Sequence, residues 1–354
     1  NFWSGSAGWI ISEEPFFSGI PLLGGADFLK LRASYGVLGN QDFDDYQFAG
    51  LVAQNRSYLL GGGVAPGAIQ VSLANPNIKW QENTQQNYGF DLSLLSDQLS
   101  FTADYYISRS DDLLVRAPLP PSLGSGSSPF VNAGSVRNKG FELGLTHRYG
   151  RGGFELNTTA NFTTIENEVL DLGNGAQPIF TGGVARTAVG SPIGHFWVRK
   201  MDGIFQSADE VQAHTTTVDG VVRVLQPGAR PGDIRYADLN QDGLINDDDR
   251  YNAGDAVPDF EGGLFFDGSV GRFDFGAGLR GAFGNEIFNE VAWWMLRMDD
   301  NSNLPAGTRP WTPENPSTTT PRALIGGLAA SNALRNSDRW VEDGSFVRIQ
   351  NVQL

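Results

Sequence analysis

The residues best suited to chemistry in this 354-residue chain are a run of oxygen donors. Asp238-Leu-Asn240-Gln-Asp242-Gly243-Leu244-Ile245-Asn246-Asp-Asp-Asp249 follows the twelve-residue calcium-loop pattern at positions 1, 3, 5, 6, 8, 9 and 12. Ca²⁺ takes about six to eight hard oxygen ligands. Alternate side chains of a tight loop turn inward, so Asp238, Asn240, Asp242, Asn246 and Asp249 are the candidate ligands. Gly243 makes the bend, Leu244 offers its backbone carbonyl, and Ile245 anchors the loop in apolar surroundings. Asp249 stands where an EF-hand carries a longer, bidentate Glu. The flanking residues, Ile234-Arg-Tyr-Ala and Arg250-Tyr-Asn-Ala-Gly, do not read as helices. The loop is therefore expected to hold a structural calcium ion rather than to signal. The alternative is an acidic solvated turn with no ion.

Other chemistries find no support. Cys is absent, which excludes disulfides, thiolate metal sites and Cys nucleophiles. The three His (His147, His195, His214) are far apart, and His195 beside Phe196-Trp197 reads as structural. No nucleophile elbow, His-Glu-x-x-His or phosphate loop occurs. Gly276-Ala-Gly278-Leu-Arg-Gly281 spells a dinucleotide fingerprint but lies inside an alternating strand, where that motif needs a helix start. Its glycines read as thin spots on the polar face of a curved strand. A net charge of −15 repels phosphate backbones, so nucleic acid is not an expected partner. No enzymatic activity is expected.

The elements that must position the loop are strands. Phe, Leu, Ala and Ile alternate with Ser, Thr, Asp and Glu across residues 99–108, 141–149, 154–163 and 272–283. Residues 29–37 and 88–94 repeat the pattern more briefly, and 260–268 does so imperfectly, with Phe265 on the polar face. Several runs approach the length of about 9–11 residues that a tilted membrane-spanning strand needs. Three connections are short (96–98, 150–153, 268–271) and three are long (109–139, 164–258, 285–345), in alternation. Membrane β-barrels connect their strands in this way, with the apolar face toward lipid and the polar face toward a wet lumen. The Pro/Gly/Ser-rich stretch 117–129 reads as loop. Residues 285–298 suggest an amphipathic helix with Ile287, Phe288, Val291, Trp294, Met295 and Met298 on one side. Trp293-Trp294 and Tyr105-Tyr106 suit a membrane-interface girdle, and Trp293-Trp294 equally a sugar-stacking platform.

Several motifs together resemble one family. They are Leu29-Lys-Leu-Arg-Ala-Ser-Tyr-Gly36 with Gly39-Asn-Gln41, Asn75-Pro-Asn-Ile-Lys-Trp80, Asp104-Tyr-Tyr106, and Arg137-Asn-Lys-Gly140. Gly190-Ser-Pro-Ile-Gly-His-Phe196, Pro231-Gly-Asp-Ile-Arg-Tyr-Ala-Asp238, Arg309-Pro-Trp-Thr-Pro-Glu-Asn-Pro316 and Ser337-Asp-Arg-Trp-Val-Glu-Asp-Gly344 continue the series. In this order they resemble the C-terminal part of SusC/RagA-type TonB-dependent outer-membrane transporters of Bacteroidota, over nearly the whole chain.

The resemblance implies an all-β fold: an antiparallel transmembrane β-barrel, with residues 1–354 as the C-terminal portion of a 22-stranded barrel with long extracellular loops. Residues 164–258 would be one long extracellular loop region, carrying the calcium-type loop 238–249. Members hold an N-terminal plug, which has no counterpart in this chain, and similar sequences continue past Leu354. The implied partners are a SusD-like surface lipoprotein, the TonB complex acting through the N-terminal part, an oligosaccharide or peptide ligand, and outer-membrane lipid. The implied function is TonB-dependent import. The rival reading is a calcium-stabilised structural or adhesive β-protein of the cell surface.

Overall fold

The alternating runs become long antiparallel strands in the computed structural model of the chain. The structure describes residues 2–19, 25–41, 48–70, 75–116, 130–173, 177–298, 303–324 and 331–354. The loop expected at 117–129 lies outside the described residues.

The chain begins with β1 (Ser4–Ile10) and β2 (Phe28–Asn40), followed by a hairpin of β3 (Val52–Leu60) and β4 (Gly63–Gln70). Next come β5 (Gln81–Leu94), β6 (Leu99–Asp111), a short pair β7 (Leu114–Arg116) and β8 (Phe130–Asn132), then β9 (Ser135–Arg151) and β10 (Phe154–Thr164). A long excursion holds β11 (Glu166–Asp171), β12 (Ile179–Thr181), β13 (Ala185–Thr187), β14 (His195–Arg199) and β15 (Met201–Ile204). It continues through helix α1 (Ala208–Ala213), β16 (Thr215–Val218), β17 (Val221–Val224), β18 (Ile234–Tyr236) and β19 (Arg250–Asn252). The strands β20 (Phe260–Val270) and β21 (Phe273–Phe283) form the next hairpin. Last are β22 (Glu286–Phe288), helix α2 (Glu290–Leu296), β23 (Val341–Asp343) and β24 (Phe346–Gln353).

Nine of these make one wall in the order β1-β2-β5-β6-β9-β10-β20-β21-β24, every pair antiparallel. The register lines up side chains of one kind across it. Leu31, Phe90, Ala103, Leu143, Phe162, Gly262, Gly281 and Val347 form one lateral row. Leu29, Leu92, Phe101, Leu145, Ala160, Leu264, Leu279 and Ile349 form the next. No layer covers this face among the described residues: Tyr88, Phe141, Leu145, Phe162, Val270, Phe273 and Val352 are exposed. The opposite face is polar, with a row of Lys30, Asp91, Thr102, Gly144, Asn161, Gly263, Arg280 and Arg348. There Arg32 donates to Asp91 at 3.0 Å and to Asp104 at 2.8 Å, tying three strands together. A period-two strand with water on one side and hydrocarbon on the other produces this inversion.

Phe265, the exception in the pattern, has a reason. Its ring covers Gly263 on its own strand and Gly278 on the neighbouring strand β21, where an added Cβ would come within 2.8 and 3.0 Å of it. The fingerprint-like Gly276 and Gly278 sit mid-strand in β21, so no helix starts there.

Three expectations are corrected. The connection expected at 109–139 is shorter, because β6 runs to Asp111 and β9 starts at Ser135. The helix expected over 285–298 is only Glu290–Leu296, since Ile287 and Phe288 pair as strand β22 with β23. Its buried residue is Trp293, whereas Val291, Trp294 and Met295 are exposed. The Trp293 indole is drawn inward by donating to the Ala333 carbonyl at 3.0 Å. Finally, only Tyr105 of the Tyr105-Tyr106 pair faces outward; Tyr106 turns to the polar face and donates to the Thr164 carbonyl at 3.1 Å.

Candidate functional site

The short turns at residues 95–98, 152–153 and 271–272 lie at one end of the wall, and the connections 165–259 and 284–345 at the other. These two connections fold together into one outer body with a conventional core. Phe205, Val198, Ile234, Tyr236 and Trp340 are buried there. Burial pushes the Tyr236 phenol up to about 12, so it stays neutral.

Polar bonds weld the two connections. Asp233, 3 % exposed, accepts from Arg322 Nε at 2.7 Å and from Arg322 Nη2 at 3.0 Å. Asn332 donates to the same carboxylate at 3.0 Å and accepts from the Ile234 amide at 2.8 Å. Trp311 Nε1 donates to Gln206 at 2.9 Å. Asp338 accepts from the Met201 amide at 2.8 Å and from Tyr251 Oη at 2.9 Å. Burial raises the Asp338 carboxyl above the ordinary aspartate range, although those two donors and Lys200 oppose the shift. Tyr251 is pushed up to about 12 by burial and by the Asp338 charge.

The oxygen-rich loop lies on this body. Gln241 and Gly243 take positive φ values of 60° and 86°, which make the bend. Gly243 is also tightly packed, an added Cβ meeting Arg223 and Val218 at 3.1 Å. The expected ligands are organised by backbone amides. Asp238 accepts from Gly243 at 3.1 Å, Asn240 from Asp242 at 3.1 Å, and Asp242 from Leu244 at 2.8 Å. Asp249, fully buried, accepts from Leu239 at 2.9 Å and Asn246 at 2.8 Å, and Asn246 accepts from Asp248 at 2.6 Å. Ile245 is half-buried. Among the described residues no three carboxylate or imidazole side chains converge closely enough to form a metal cage. One observation fits a cation: Asp238 Oδ1 is buried and has no hydrogen-bond partner. The donors are all hard oxygens, and an amide-bonded carboxylate oxygen keeps a second acceptor position.

Close by, β12, β13, β14 and β19 form a separate four-stranded sheet. Its register sets Phe180 opposite Arg186, Arg186 opposite His195, and Arg199 opposite Arg250. Arg186 stacks on Trp197, its guanidinium carbon 4.1 Å from the ring centre. Asp247 is shared by Arg199 and Arg250, each at 2.7 Å. Burial works to raise the Asp247 carboxyl, but the hydrogen bonds from Arg250 and Arg199 prevail and hold it below the usual range. His195 is buried, its Nδ1 3.1 Å from the Pro192 carbonyl; burial lowers its basicity and the nearby Arg186 charge adds to this. These arginines escaped the reading of the sequence because their strands are three to five residues long and lack an alternating pattern. Trp293-Trp294, expected as girdle or platform, sits on α2 in the outer body rather than on a wall strand.

Comparison with known proteins agrees with this geometry. The family described as TonB dependent receptor-like, beta-barrel matches residues 2–279. The chain is 31 % identical to TonB-dependent receptor P26 of Formosa agariphila, over 99 % of this chain and 34 % of that protein. It is 25 % identical to TonB-dependent receptor SusC of Bacteroides thetaiotaomicron, over 98 % of this chain and 33 % of that one. Among solved structures it is similar to the RagAB peptide importer in its closed-closed state, with a TM-score of 0.76 at 20 % identity, covering 99 % of this chain and 36 % of that one. The chain thus spans about a third of the length of the relatives it matches.

Proposed function

The chain belongs to the TonB-dependent receptor-like β-barrel family of the outer membrane, and from that membership we propose that it forms wall and outer body of a SusC/RagA-type active importer. The observation that carries the proposal is the pair of apolar rows, interrupted only by Gly262 and Gly281, on a largely uncovered face, with a row of charged and polar residues on the face behind. Such a wall separates hydrocarbon from a wet passage. The outer body crowns that passage at the end where the long connections emerge, and so is placed to meet ligand first.

In this reading the cargo is an oligosaccharide or peptide too large for passive pores. A SusD-like surface lipoprotein covers the outer body, and the TonB complex acts through parts of the full protein beyond this chain. The test is uptake by cells that carry the complete gene. Accumulation of oligosaccharide or peptide should require the gene, the lipoprotein and an energised inner membrane. Uptake that persists after the membrane is de-energised would overturn active import.

We also propose that the loop 238–249 holds a structural Ca²⁺. Asp238, Asn240, Asp242, Asn246, Asp249 and the Leu244 carbonyl would surround it, with Asp238 Oδ1 as the oxygen most in need of a cation. The ion would neutralise crowded carboxylates and fix the loop against β16 and β17. Chelation of calcium from the full-length protein in detergent should speed proteolysis within residues 227–258 severalfold, and added Ca²⁺ should reverse it. Identical cleavage with and without chelator would count against the ion.

A further inference from the structure

The sheet β12-β13-β14-β19 of the outer body presents an arginine-bearing face. It borders a recess of about 460 Å³ lined by Phe180, Arg186, Trp197, Asp247, Asp248 and Arg250. Resting on the importer reading, we infer that this recess is a subsite for an acidic sugar residue, one bearing a carboxylate or a sulfate ester.

Charge supports this first. The chain as a whole carries −15, yet three guanidiniums (Arg186, Arg199, Arg250) meet on this face. Asp247 answers two of them through one shared oxygen. Arg186 has no carboxylate partner among the described residues, and its Nε is buried without an acceptor. Stacking on Trp197 holds it in place instead. A guanidinium already pinned flat has little freedom left to lose on binding, and its fork matches a carboxylate or sulfate.

The rest of the recess selects a sugar. Phe180, 55 % exposed, stands directly across from Arg186 and offers an apolar platform for the hydrophobic face of a pyranose. The exposed Asp248 and the partly occupied Asp247 accept hydrogen bonds from hydroxyls. A sugar ring presents several hydroxyls beside its one anionic group. An acidic peptide offers one backbone amide donor per carboxylate and no flat ring face to lie on Phe180.

The experiment measures binding by calorimetry with the purified full-length transporter. The probes are trigalacturonate, its methyl ester, a κ-carrageenan tetrasaccharide (sulfate esters and no carboxylate) and a penta-glutamate peptide. Saturable binding of trigalacturonate or of the sulfated oligomer is expected, and which one binds separates carboxylate from sulfate. The neutral ester should bind at least tenfold more weakly than its acid. Arg186→Gln should weaken the acidic sugar at least tenfold, and Arg186→Lys by less, while Phe180→Ala weakens acid and ester alike. Hydrogen-exchange protection of β14 and β19 equal to the parent's confirms that the outer body of each variant is folded. The inference falls if neither acidic sugar binds, if Arg186→Gln binds like the parent, or if penta-glutamate binds as tightly as the sugars. Gene-dependent, energised uptake that continues beside any of these failures leaves the importer reading standing; loss of that uptake in the parent would fell the importer reading itself.

Discussion

The wall and the outer body are built by opposite rules from one chain. In the wall, Phe141, Phe162 and Val352 face outward, and Arg32, Asp91 and Asp104 pair on the inner face. In the outer body, Phe205, Ile234 and Tyr236 are hidden and carboxylates such as Asp247 and Asp248 are outside. Apart from the small cluster of Val136 with Val169, Leu172 and Leu113, the wall buries little apolar surface among the described residues, so its strands are held by hydrogen-bonded ladders and by lipid on the apolar rows. The outer body depends on burial and on a few polar welds between segments about ninety residues apart, such as Asp233 with Arg322. The two regions should therefore fail under different insults.

The strongest way to test that contrast is to cut a weld. Asp233→Ala leaves Arg322 and Asn332 without their shared acceptor in a nearly closed site. Breaking one partner of a buried pair costs about 3–5 kcal/mol. Hydrogen exchange should speed up in β18 and around residues 318–324 and 331–334, while the wall ladders keep their protection. Equal loss of protection in both regions would show that wall and body are one cooperative unit.

A milder insult should strike the wall alone. Leu264→Arg places a charge mid-strand on the outward face, where arginine costs about 2–4 kcal/mol near the bilayer midplane. Asn161→Arg, on a neighbouring strand but on the inner face and opposite Gly144 and Gly263, should change stability by no more than about 0.5 kcal/mol. Urea unfolding from lipid vesicles compares the two. If both variants lose the same stability, the outward face does not meet hydrocarbon.

The wall was legible in the sequence because one physical rule, period two with unlike solvents on either side, acts over ten or more consecutive residues. Residues 99–108 and 154–163 needed only one to three residues added at one end. The outer body was largely illegible. Its strands run three to six residues, and its contacts join distant segments, so no local periodicity announces Arg186 beside Trp197 or Asp233 beside Arg322. The helix over 285–298 shows the failure directly. An apolar spacing was present, but a side-chain bond from Trp293 and the pairing of β22 with β23 chose a different face. The oxygen loop was visible because its spacing is itself local, and the structure organises each expected ligand side chain by an amide.

The smallest expected effect sharpens the comparison through pH. Burial raises the Asp338 carboxyl in the outer body, so the folded state binds its proton more tightly than the unfolded chain does. Stability from this group is then fully present below the ordinary aspartate range near pH 4, and is lost as pH rises through the raised folded value. Asp338→Asn removes the titration while keeping the size of the side chain. Relative to that variant, the parent outer body should lose stability on going from pH 4 to pH 7, with the difference read from exchange rates in β15 and β19, the strands bonded to or facing Asp338 through Met201 and Tyr251. The wall strands β5 and β6 should show no matching change in the same samples, because Asp338 touches neither. A parent–variant difference that stays flat across this range would mean that the donors from Met201 and Tyr251 fully offset the burial, and that the outer body tolerates an enclosed charge as readily as the wall tolerates Asp104 on its wet face.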